Sequence, residues 1–426
     1  MKTTTIYRPV LTGMLGGMLM WSSSLAAWRP QSVRQLNGDA KQIPLPAKLQ
    51  IVTEDWNRVV AVPYIVYMPE KDRLLMLVGC DYPHHPEVLF SDDRGATWTA
   101  PRPIALDKAG EPVSGLGTSL TYLGAGRVLL YAGARWFSRD YGQTWGNPLP
   151  VAPTPDGKPW YIWDPPLVDR DPKTGRIVRL VETGYTWHRS PAVKVAHQQA
   201  YLRSSTDGGK TWGKGIKVPQ WHAVSEVALC RAANGELLAA CRTDIPTRMK
   251  GQTLDHYEGL GVSVSKDNGR TWSGVRKLYD WGRHHPSWVR MPNNDLVMTY
   301  VVRKGYVDTS DGFPQFGIEA IVSRDHGRTW DLDHRYILHC WSGNRKGRNA
   351  WWPSSQATSS VLLPDGWILT AFGTGYRSQP GPKGPPTPRD VGLVRWRLNT
   401  KPVSADRRIR DAAFDSDVRN VLDPAP

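Results

Sequence analysis

The sequence predicts an all-β fold, a six-bladed β-propeller, and two observations lead to this prediction. The first is a pattern of eight residues, Ser-x-Asp-x-Gly-x-Thr-Trp, which occurs at residues 91–98, 138–145, 205–212, 265–272 and 323–330. The second is a set of six hairpin-like pairs of short apolar segments distributed along the chain. A unit that recurs in this way indicates an array of similar modules that bury their faces against each other.

Each module is expected to be a four-stranded antiparallel sheet. In residues 225–244, the segments "VALC" and "LLAAC" flank Asn234-Gly235, which is a strong hairpin signal. The same plan occurs at residues 64–80, 119–133, 166–185, 287–306 and 359–376. A third strand, such as "GLGVSVS" or "FGIEAIVS", runs into each eight-residue pattern, and a fourth strand can follow it. Four such strands repeated six times describe a six-bladed β-propeller.

The eight-residue pattern is expected to serve the fold. Its Asp and Ser can bond the backbone of a turn, its Gly can take a positive φ, and its Trp can pack between modules. The last module, which ends in "VGLVRWRLN" (391–399), has no copy of the pattern. We expect its outer strand to come from the N-terminal segment "LQIVTED" (49–55), which would close the ring.

The ends of the chain differ from this repeat. The first residues combine positive charges, an apolar run and small residues suited to cleavage, which is typical of a secretory signal. The predicted divisions are a signal peptide (1–27), an N-terminal extension (28–48), the propeller (49–403) and a C-terminal tail (404–426). We therefore expect a secreted or periplasmic monomer with no membrane segment after cleavage. The alternative is an uncleaved N-terminal anchor.

The net charge of +15 and the pI of about 9.7 favour acidic partners. In an exported protein these would be acidic oligosaccharides or polysaccharides, and the alternative is a basic surface without a specific partner. The basic residues are scattered, so we expect no nucleic-acid partner. We also expect no cofactor and no metal, because the cysteines show no zinc-site spacing.

Export would permit disulfides among Cys80, Cys230, Cys241 and Cys340. Cys230 and Cys241 flank the Asn-Gly turn, but a two-residue hairpin loop would place Cys230 opposite Ala239. The sequence therefore predicts no bridge between Cys230 and Cys241.

The five eight-residue patterns are similar to the repeats called Asp boxes or BNR repeats, and the chain resembles the sialidase superfamily over roughly residues 50–400. This resemblance implies a six-bladed propeller with Asp-box repeats and an exo-α-sialidase-type glycosidase. Sialidases use an arginine triad to grip the substrate carboxylate, a Tyr/Glu nucleophile pair, and an Asp acid/base. The resemblance places the acid/base at Asp81, the glutamate at Glu226 and one arginine at Arg242.

The chain departs from the family pattern at three places. Ala61 stands where the first arginine belongs, and Arg58 is three residues out of register. Ala357 stands where the nucleophilic tyrosine belongs, and the segment expected to carry the third arginine, "IEAIVS" (318–323), has none. We therefore expect weak or no cleavage of simple sialosides.

Propeller topology independently brings together polar residues on the face opposite the Asp boxes. They lie at the starts of first strands or the ends of second strands: Asp164, Glu226, His284, His285, Asp81, Arg242 and Arg303, with Trp163, Trp351 and Trp352 nearby. Arginines bind carboxylates in a bidentate manner, indoles stack on sugars, and carboxylates transfer protons. Each position also has a structural interpretation: turn caps for Asp81 and Asp164, an ion pair for Glu226 and Arg242, and packing for the histidines.

The resulting hypothesis is an exported sialidase-like glycoside hydrolase that acts on an acidic glycan. Its expected catalytic residues are Asp81, Glu226 and His285, and its expected substrate-binding residues are Arg242, Asp164, His284, Arg303 and Trp163. One alternative is a polysaccharide lyase in which Arg242 neutralises a uronate carboxylate and a histidine or tyrosine removes the α-proton. A second alternative is a glycan-binding propeller without catalysis.

Overall fold

A computed structural model describes residues 27–37, 41–146, 148–186, 198–246, 257–304, 316–341, 354–378 and 387–400. In these ranges the regular structure consists of β-strands and one short 3₁₀ turn, Pro69–Lys71. The strands are β1 (Arg29–Asn37), β2 (Lys41–Ile51), β3 (Val60–Met68), β4 (Arg73–Cys80), β5 (His85–Ser91), β6 (Arg102–Pro103), β7 (Gly117–Gly124), β8 (Arg127–Ala132), β9 (Arg135–Ser138), β10 (Leu167–Arg170), β11 (Ile177–Thr186), β12 (Gln199–Ser205), β13 (Ile216–His222), β14 (Val224–Arg231), β15 (Leu237–Thr243), β16 (Gly259–Ser265), β17 (Arg276–Tyr279), β18 (Arg283–Arg290), β19 (Leu296–Arg303), β20 (Phe316–Ser323), β21 (Tyr336–Trp341), β22 (Gln356–Leu362), β23 (Ile368–Tyr376) and β24 (Arg389–Trp396).

The strands form antiparallel sheets in a propeller-like arrangement. Three sheets have four strands, in the orders β3-β4-β5-β6, β10-β11-β12-β13 and β14-β15-β16-β17, and one has three strands, β7-β8-β9. The remaining strands form a nine-stranded sheet in the order β18-β19-β20-β21-β1-β2-β24-β23-β22. The three- and four-stranded sheets are meanders of sequential strands, as the repeated hairpins predict, and the nine-stranded sheet contains two such meanders, β18–β21 and β22–β24.

An N-terminal hairpin, β1–β2, lies in the middle of the nine-stranded sheet and joins its two halves, β18–β21 and β22–β24. β2 pairs with β24 from Lys48↔Arg395 to Ile51↔Gly392, as predicted for the outer strand of the last module. β1 adds a pairing that was not predicted, because it lies beside β21 through Arg34↔Ile337 and Gln35↔Tyr336. The stretch expected to be an N-terminal extension therefore carries β1 and most of β2.

The prediction of four strands per module is wrong for the β7-β8-β9 sheet. After β9 the chain runs through the proline-rich segment "PLPVAPTPDGKP" (148–159), and only Leu149 forms a bridge, to Arg135. Proline has no N–H to donate to a strand ladder, so this segment cannot form a regular fourth strand. It instead forms a long connection that leads to Asp164.

The Asp boxes form the turns that follow the third strands. In the first box, Ser91 Oγ accepts from Gly95 N at 2.8 Å, and Asp93 accepts from Thr97 N at 2.8 Å and from Thr97 Oγ1 at 2.6 Å. Gly95 has φ +89°, and Trp98 packs against residues of the last module in the core. The other four boxes repeat the bonds from Gly N to Ser and from Thr to Asp, so the boxes stabilise turns.

The hairpin register differs by one residue from the predicted one. Cys230 lies opposite Leu238 rather than Ala239, and Cys241 lies opposite Val227. Ala232 pairs with Glu236 across a three-residue loop in which Gly235 has φ +87°, and this loop replaces the expected two-residue loop. The absence of a Cys230–Cys241 bridge is confirmed, because all four cysteines are free thiols.

A cavity of about 540 Å³ lies between six strands that we call the inner strands: β3, β7, β10, β14, β18 and β22. We call the end of the sheets at which the inner strands begin the site face, and the opposite end, with the Asp boxes, the box face. Five of the inner strands carry a bulge near the site face, where the pairing with the next strand skips one or two residues. Bulges of this kind redirect side chains, and they are common beside active sites.

Candidate functional site

Glu226 lies in the bulge of β14, where pairing skips from Val224 to Val227. The preceding Ala223 has φ +59°, an uncommon conformation for a residue other than glycine. The bulge directs the buried Glu226 carboxylate to Arg242 at the end of β15, and Arg242 Nη1 donates to Glu226 Oε1 at 2.7 Å. Arg242 Nε also donates to Glu258. The structure therefore joins the predicted pair Glu226 and Arg242 and adds a second carboxylate.

His285 lies in the equivalent bulge of β18, with φ +56°. Its Nδ1 is 3.0 Å from Glu226 Oε2 and 2.9 Å from Trp163 Nε1, and its Nε2 is 3.4 Å from Tyr64 Oη. A ring nitrogen has one hydrogen-bonding position in its plane, so Glu226 and Trp163 compete for Nδ1. Tyr64 Oη also donates to the Trp163 carbonyl oxygen. Glu226, His285, Trp163 and Tyr64 thus form one connected network.

The environments of Glu226 and Asp164 separate the pKa values of the two carboxyl groups. Burial raises the pKa of Asp164 well above its usual range, and the charge of Glu226 raises it further. Burial also acts to raise the pKa of Glu226, but the charges of Arg242 and His285 outweigh it and lower that pKa. The two environments therefore favour the protonated form of Asp164 and the ionised form of Glu226, and such a separation of pKa values is common among acid and base groups of active sites. Asp164 lines the central cavity and accepts a hydrogen bond from Val227 N.

Tyr185, near the end of β11, lies beside Glu226. Thr183 Oγ1 donates to the Val227 carbonyl at 2.6 Å, which fixes β11 against β14. Side chains alternate along a strand, so Tyr185 points to the same side as Thr183, one step nearer the site face and Glu226. Burial and the charge of Glu226 raise the pKa of Tyr185. Its hydroxyl makes no hydrogen bond to any residue in the described part of the chain.

Arg389 is a buried cation at the start of β24, with 4% of its surface exposed. Its Nε donates to the Thr374 carbonyl at 2.7 Å, and its Nη2 donates to the Ser354 carbonyl at 3.0 Å. Arg303 Nε binds the adjacent Ser355 carbonyl at 2.6 Å, so the two guanidinium groups lie close together. Burial and the charge of Arg303 lower the pKa of Arg389 to about 10. Within the described ranges, no carboxylate pairs with Arg389.

The loop that carries Asp81 reaches the same region. Tyr82 Oη lies 2.7 Å from Tyr376 Oη, and the Tyr376 ring lies 4.8 Å from Arg389 Cζ. Asp81 is itself partly exposed and pairs with Arg58 at 2.7 Å. Arg58 also binds Glu87 at 2.6 Å and lies 3.1 Å from His85 Nε2, so its guanidinium is held by two carboxylates and a histidine.

The structure places the other predicted residues as follows. Arg303 lies beside Arg389, and its charge also lowers the pKa of Glu226. His284 is fully buried and pairs with Val301 within the sheet, whereas its neighbour His285 lies in the bulge. Trp163 belongs to the Glu226 network, and Trp351 and Trp352 lie outside the described residues.

Sequence reasoning missed Tyr64, Tyr185, Arg389 and Glu258. Tyr185 could have been found by the rule used for the other residues, because it lies near the end of β11, the second strand of its sheet. Arg389 lies at the start of β24, a third strand, which also begins near the site face but was not covered by that rule. Tyr64 lies inside an inner strand, and Glu258 adjoins the stretch 247–256 that the structure does not describe. Within the described ranges, no cluster of three or more His, Cys, Asp or Glu residues is arranged to hold a metal ion. In that same part of the chain, no helix is long and apolar enough to cross a membrane.

Comparison with known proteins supports a single superfamily. A family model described as a BNR repeat-like domain matches residues 134–379. A structure of a protein of unknown function from Dyadobacter fermentans has a TM-score of 0.59 at 17% identity and covers 87% of this chain and 100% of its own. The Trypanosoma rangeli sialidase has a TM-score of 0.52 at 13% identity and covers 87% of this chain. The NanB sialidase of Streptococcus pneumoniae has a TM-score of 0.51 at 12% identity and covers 81% of this chain.

The matches differ in how much of each relative they include. The chain spans 59% of the length of the trypanosomal sialidase and 69% of the pneumococcal one. At these identities the structural likeness establishes the fold. No curated protein matches the chain by sequence.

Proposed function

The chain belongs to the BNR repeat-like family of the sialidase β-propeller superfamily, and on this basis we propose that it is a glycosidase that releases an acidic sugar from a glycan. The proposal includes six blades. Six inner strands line the central cavity, and the N-terminal hairpin would divide the nine-stranded sheet into the fifth and sixth blades. It also includes export, which the signal-like residues 1–27 support.

The single observation that best supports an acidic substrate is the buried guanidinium of Arg389, which pairs with no carboxylate among the described residues and lies beside Arg303. Burying a charge without an opposite charge beside it is costly, and a second cation nearby increases that cost. A carboxylate ligand would relieve both effects. Two arginines can also hold a carboxylate in a fixed orientation, which positions the rest of the sugar for reaction. The substrate class is therefore a sugar that carries a carboxylate, sialic or uronic.

The reacting groups would surround this carboxylate site. Tyr185 supplies the nucleophile that Ala357 cannot: its oxygen forms a bond to the anomeric carbon while the glycosidic C–O bond breaks. Glu226, which its partners keep ionised, accepts the phenol proton. Asp81 gives a proton to the leaving oxygen and then takes one from the water that attacks the anomeric carbon. The bond to Tyr185 breaks in that second step, and Glu226 returns the proton to the phenolate oxygen. Arg242 fixes the position of Glu226 throughout.

A polysaccharide lyase is the second candidate, and one observation favours it. Glu226, His285 and Tyr64 form a chain with contacts of 3.0 and 3.4 Å. A carboxylate that orients a histidine is a common way to prepare a general base. In a lyase, this base would remove the α-proton of a uronate while an arginine neutralises the carboxylate.

Product analysis on a panel of sialylated and uronic glycans tests the proposal. The expected product is a free acidic sugar with a new reducing end. An unsaturated uronate that absorbs in the ultraviolet would instead identify the lyase, and binding without any product would identify a non-catalytic glycan-binding propeller.

A further inference from the structure

A second cavity, of about 510 Å³, opens on the site face away from Arg389. Its lining comes from the end of β8, the residues before β9, and the proline-rich connection before β10: Tyr131, Gly133, Ala134, Pro148, Pro150, Val151, Pro153, Pro159, Trp160 and Tyr161. We call it the proline cleft. Its volume is within the range of about 300–1,000 Å³ that is typical of small-molecule sites. None of the residues that line the proline cleft has a role in the proposed reaction.

The proline cleft is built as a rigid aromatic surface. Prolines form four of its ten lining residues, and their fixed φ angles limit the motion of the walls. Trp160 is held from behind, because Arg203 Cζ lies 4.0 Å from its ring and Arg203 Nη1 donates to the Ala152 carbonyl at 3.1 Å. Tyr161 projects from this surface with 43% of its area exposed. A large exposed aromatic ring on a fixed base is suited to stacking against a ligand.

Among the described residues, none that lines the cleft has an ionised side chain, although the chain has a net charge of +15. Its surface is therefore suited to a neutral ligand with apolar faces and polar edges, as pyranose rings have. Phenol and indole rings offer stacking faces, and the tyrosine hydroxyls and backbone carbonyls offer hydrogen bonds at the edges.

The cleft adjoins the site around Glu226 through the neighbouring residues Tyr161 and Tyr185. Tyr161 and Tyr185 exchange both backbone hydrogen bonds at 3.1 Å, and their rings lie 5.8 Å apart. A ligand that passes from Tyr185 to Tyr161 would therefore move directly from the reacting centre into the cleft.

We propose that the proline cleft binds neutral sugar units of an oligosaccharide whose acidic sugar is held at Arg389, with Tyr161 as the stacking platform. This inference rests on the proposed function for the direction of the chain, but binding of a neutral sugar does not require catalysis. The cleft would make an oligosaccharide a better substrate than an acidic sugar with a small leaving group.

Binding of lactose and cellotriose, measured by saturation-transfer NMR and calorimetry, tests the cleft directly. The protein is used as wild type and as Glu226→Gln, so that turnover cannot interfere. We expect binding by both, and Tyr161→Ala should weaken it by roughly fivefold or more, because one aromatic stacking contact accounts for a factor of this size. The matched control is Tyr141→Ala, which removes a tyrosine from an Asp box on the opposite face.

Three outcomes separate the claims. If neutral sugars bind and only Tyr161→Ala weakens them, the cleft is a sugar site even when no acidic glycan is cleaved. If acidic glycans are cleaved but Tyr161→Ala changes neither neutral-sugar binding nor the KM for oligosaccharides, the cleft proposal is wrong and the glycosidase proposal stands. The cleft proposal is also wrong if neither lactose nor cellotriose binds to the wild type.

Discussion

Arg389 and Tyr376 lie against each other at the site face, with the guanidinium carbon 4.8 Å from the ring centre. Tyr376 in turn shares a hydrogen bond with Tyr82 at 2.7 Å, so the last module contacts the loop that carries Asp81. This contact brings Arg389, a buried cation with no carboxylate partner among the described residues, close to the loop that carries the partly exposed carboxylate of Asp81.

Arg389→Gln should raise the KM for an acidic substrate by roughly 30-fold or more, because a buried charge pair contributes about 2–5 kcal/mol to binding. The Tm should stay the same or rise, since the variant removes a buried cation. Steady-state kinetics and thermal melting measure both effects. Arg397→Gln is the control, because Arg397 also lies over an aromatic ring, that of Trp367 at 4.3 Å, but is exposed. Equal KM values for the two variants would contradict the carboxylate site.

Tyr185→Phe should lower kcat by roughly 100-fold or more while the fold persists, because the ring is kept and only the nucleophilic oxygen is lost. The control is Tyr201→Phe on the neighbouring strand β12. It removes a hydroxyl that lies 3.5 Å from Asp156 in the proline-rich connection, and it should leave kcat unchanged. Single-turnover kinetics compares them. If Tyr185→Phe remains active while Tyr64→Phe does not, the nucleophile has been assigned to the wrong tyrosine.

Asp164 should make the protein less stable as the pH rises. Burial raises its folded-state pKa well above 3.8, so the folded chain keeps a proton that the unfolded chain releases above about pH 4. Stability from this group is complete below that pH and falls as the pH increases towards the folded-state pKa. Asp164→Asn removes this dependence, and its Tm should match wild type near pH 4 and exceed it near pH 8. A lower Tm at pH 8 for the variant would show that Asp164 is ionised in the fold.

Much of the fold could be predicted from the sequence, because its determinants are local. Each Asp box fixes its own turn through bonds within eight residues, as Asp93 and Thr97 show, and each hairpin pairs neighbouring segments. The proline-rich connection at 148–159 also carried a local signal, since its missing N–H groups prevent a fourth strand. The β1–β21 pairing joins segments 300 residues apart, and nothing near either strand indicates it.

The candidate site was predictable where strand order alone decides position. Glu226 and Arg242 bracket one hairpin, so their meeting follows from antiparallel pairing. Packing between modules brings Tyr185 beside Glu226 and Arg389 beside Arg303, and this packing depends on the arrangement of all the sheets. The family pattern identifies Ala61 and Ala357 as positions that lack the expected arginine and tyrosine. It does not show which other residues of the chain place an arginine or a tyrosine near the site.

The central claim is that the Glu226 network performs chemistry rather than stabilising the sheets, and Glu182 provides the matched control. Glu182 is a buried glutamate between Arg135 and Arg203, with contacts of 2.6 and 2.9 Å. Glu182→Gln leaves both arginines without a carboxylate among the described residues, whereas Glu226→Gln leaves Arg242 paired with Glu258. The two variants therefore separate stability from catalysis.

The decisive measurement is kcat/KM per folded molecule on the cleaved acidic glycan, together with the Tm, for wild type, Glu226→Gln and Glu182→Gln. We predict that Glu226→Gln melts close to wild type and loses at least about 100-fold in kcat/KM, while Glu182→Gln melts several degrees lower and keeps its activity. If Glu226→Gln lowers the Tm as much as Glu182→Gln and retains its activity, the network stabilises the fold and the catalytic assignment is wrong.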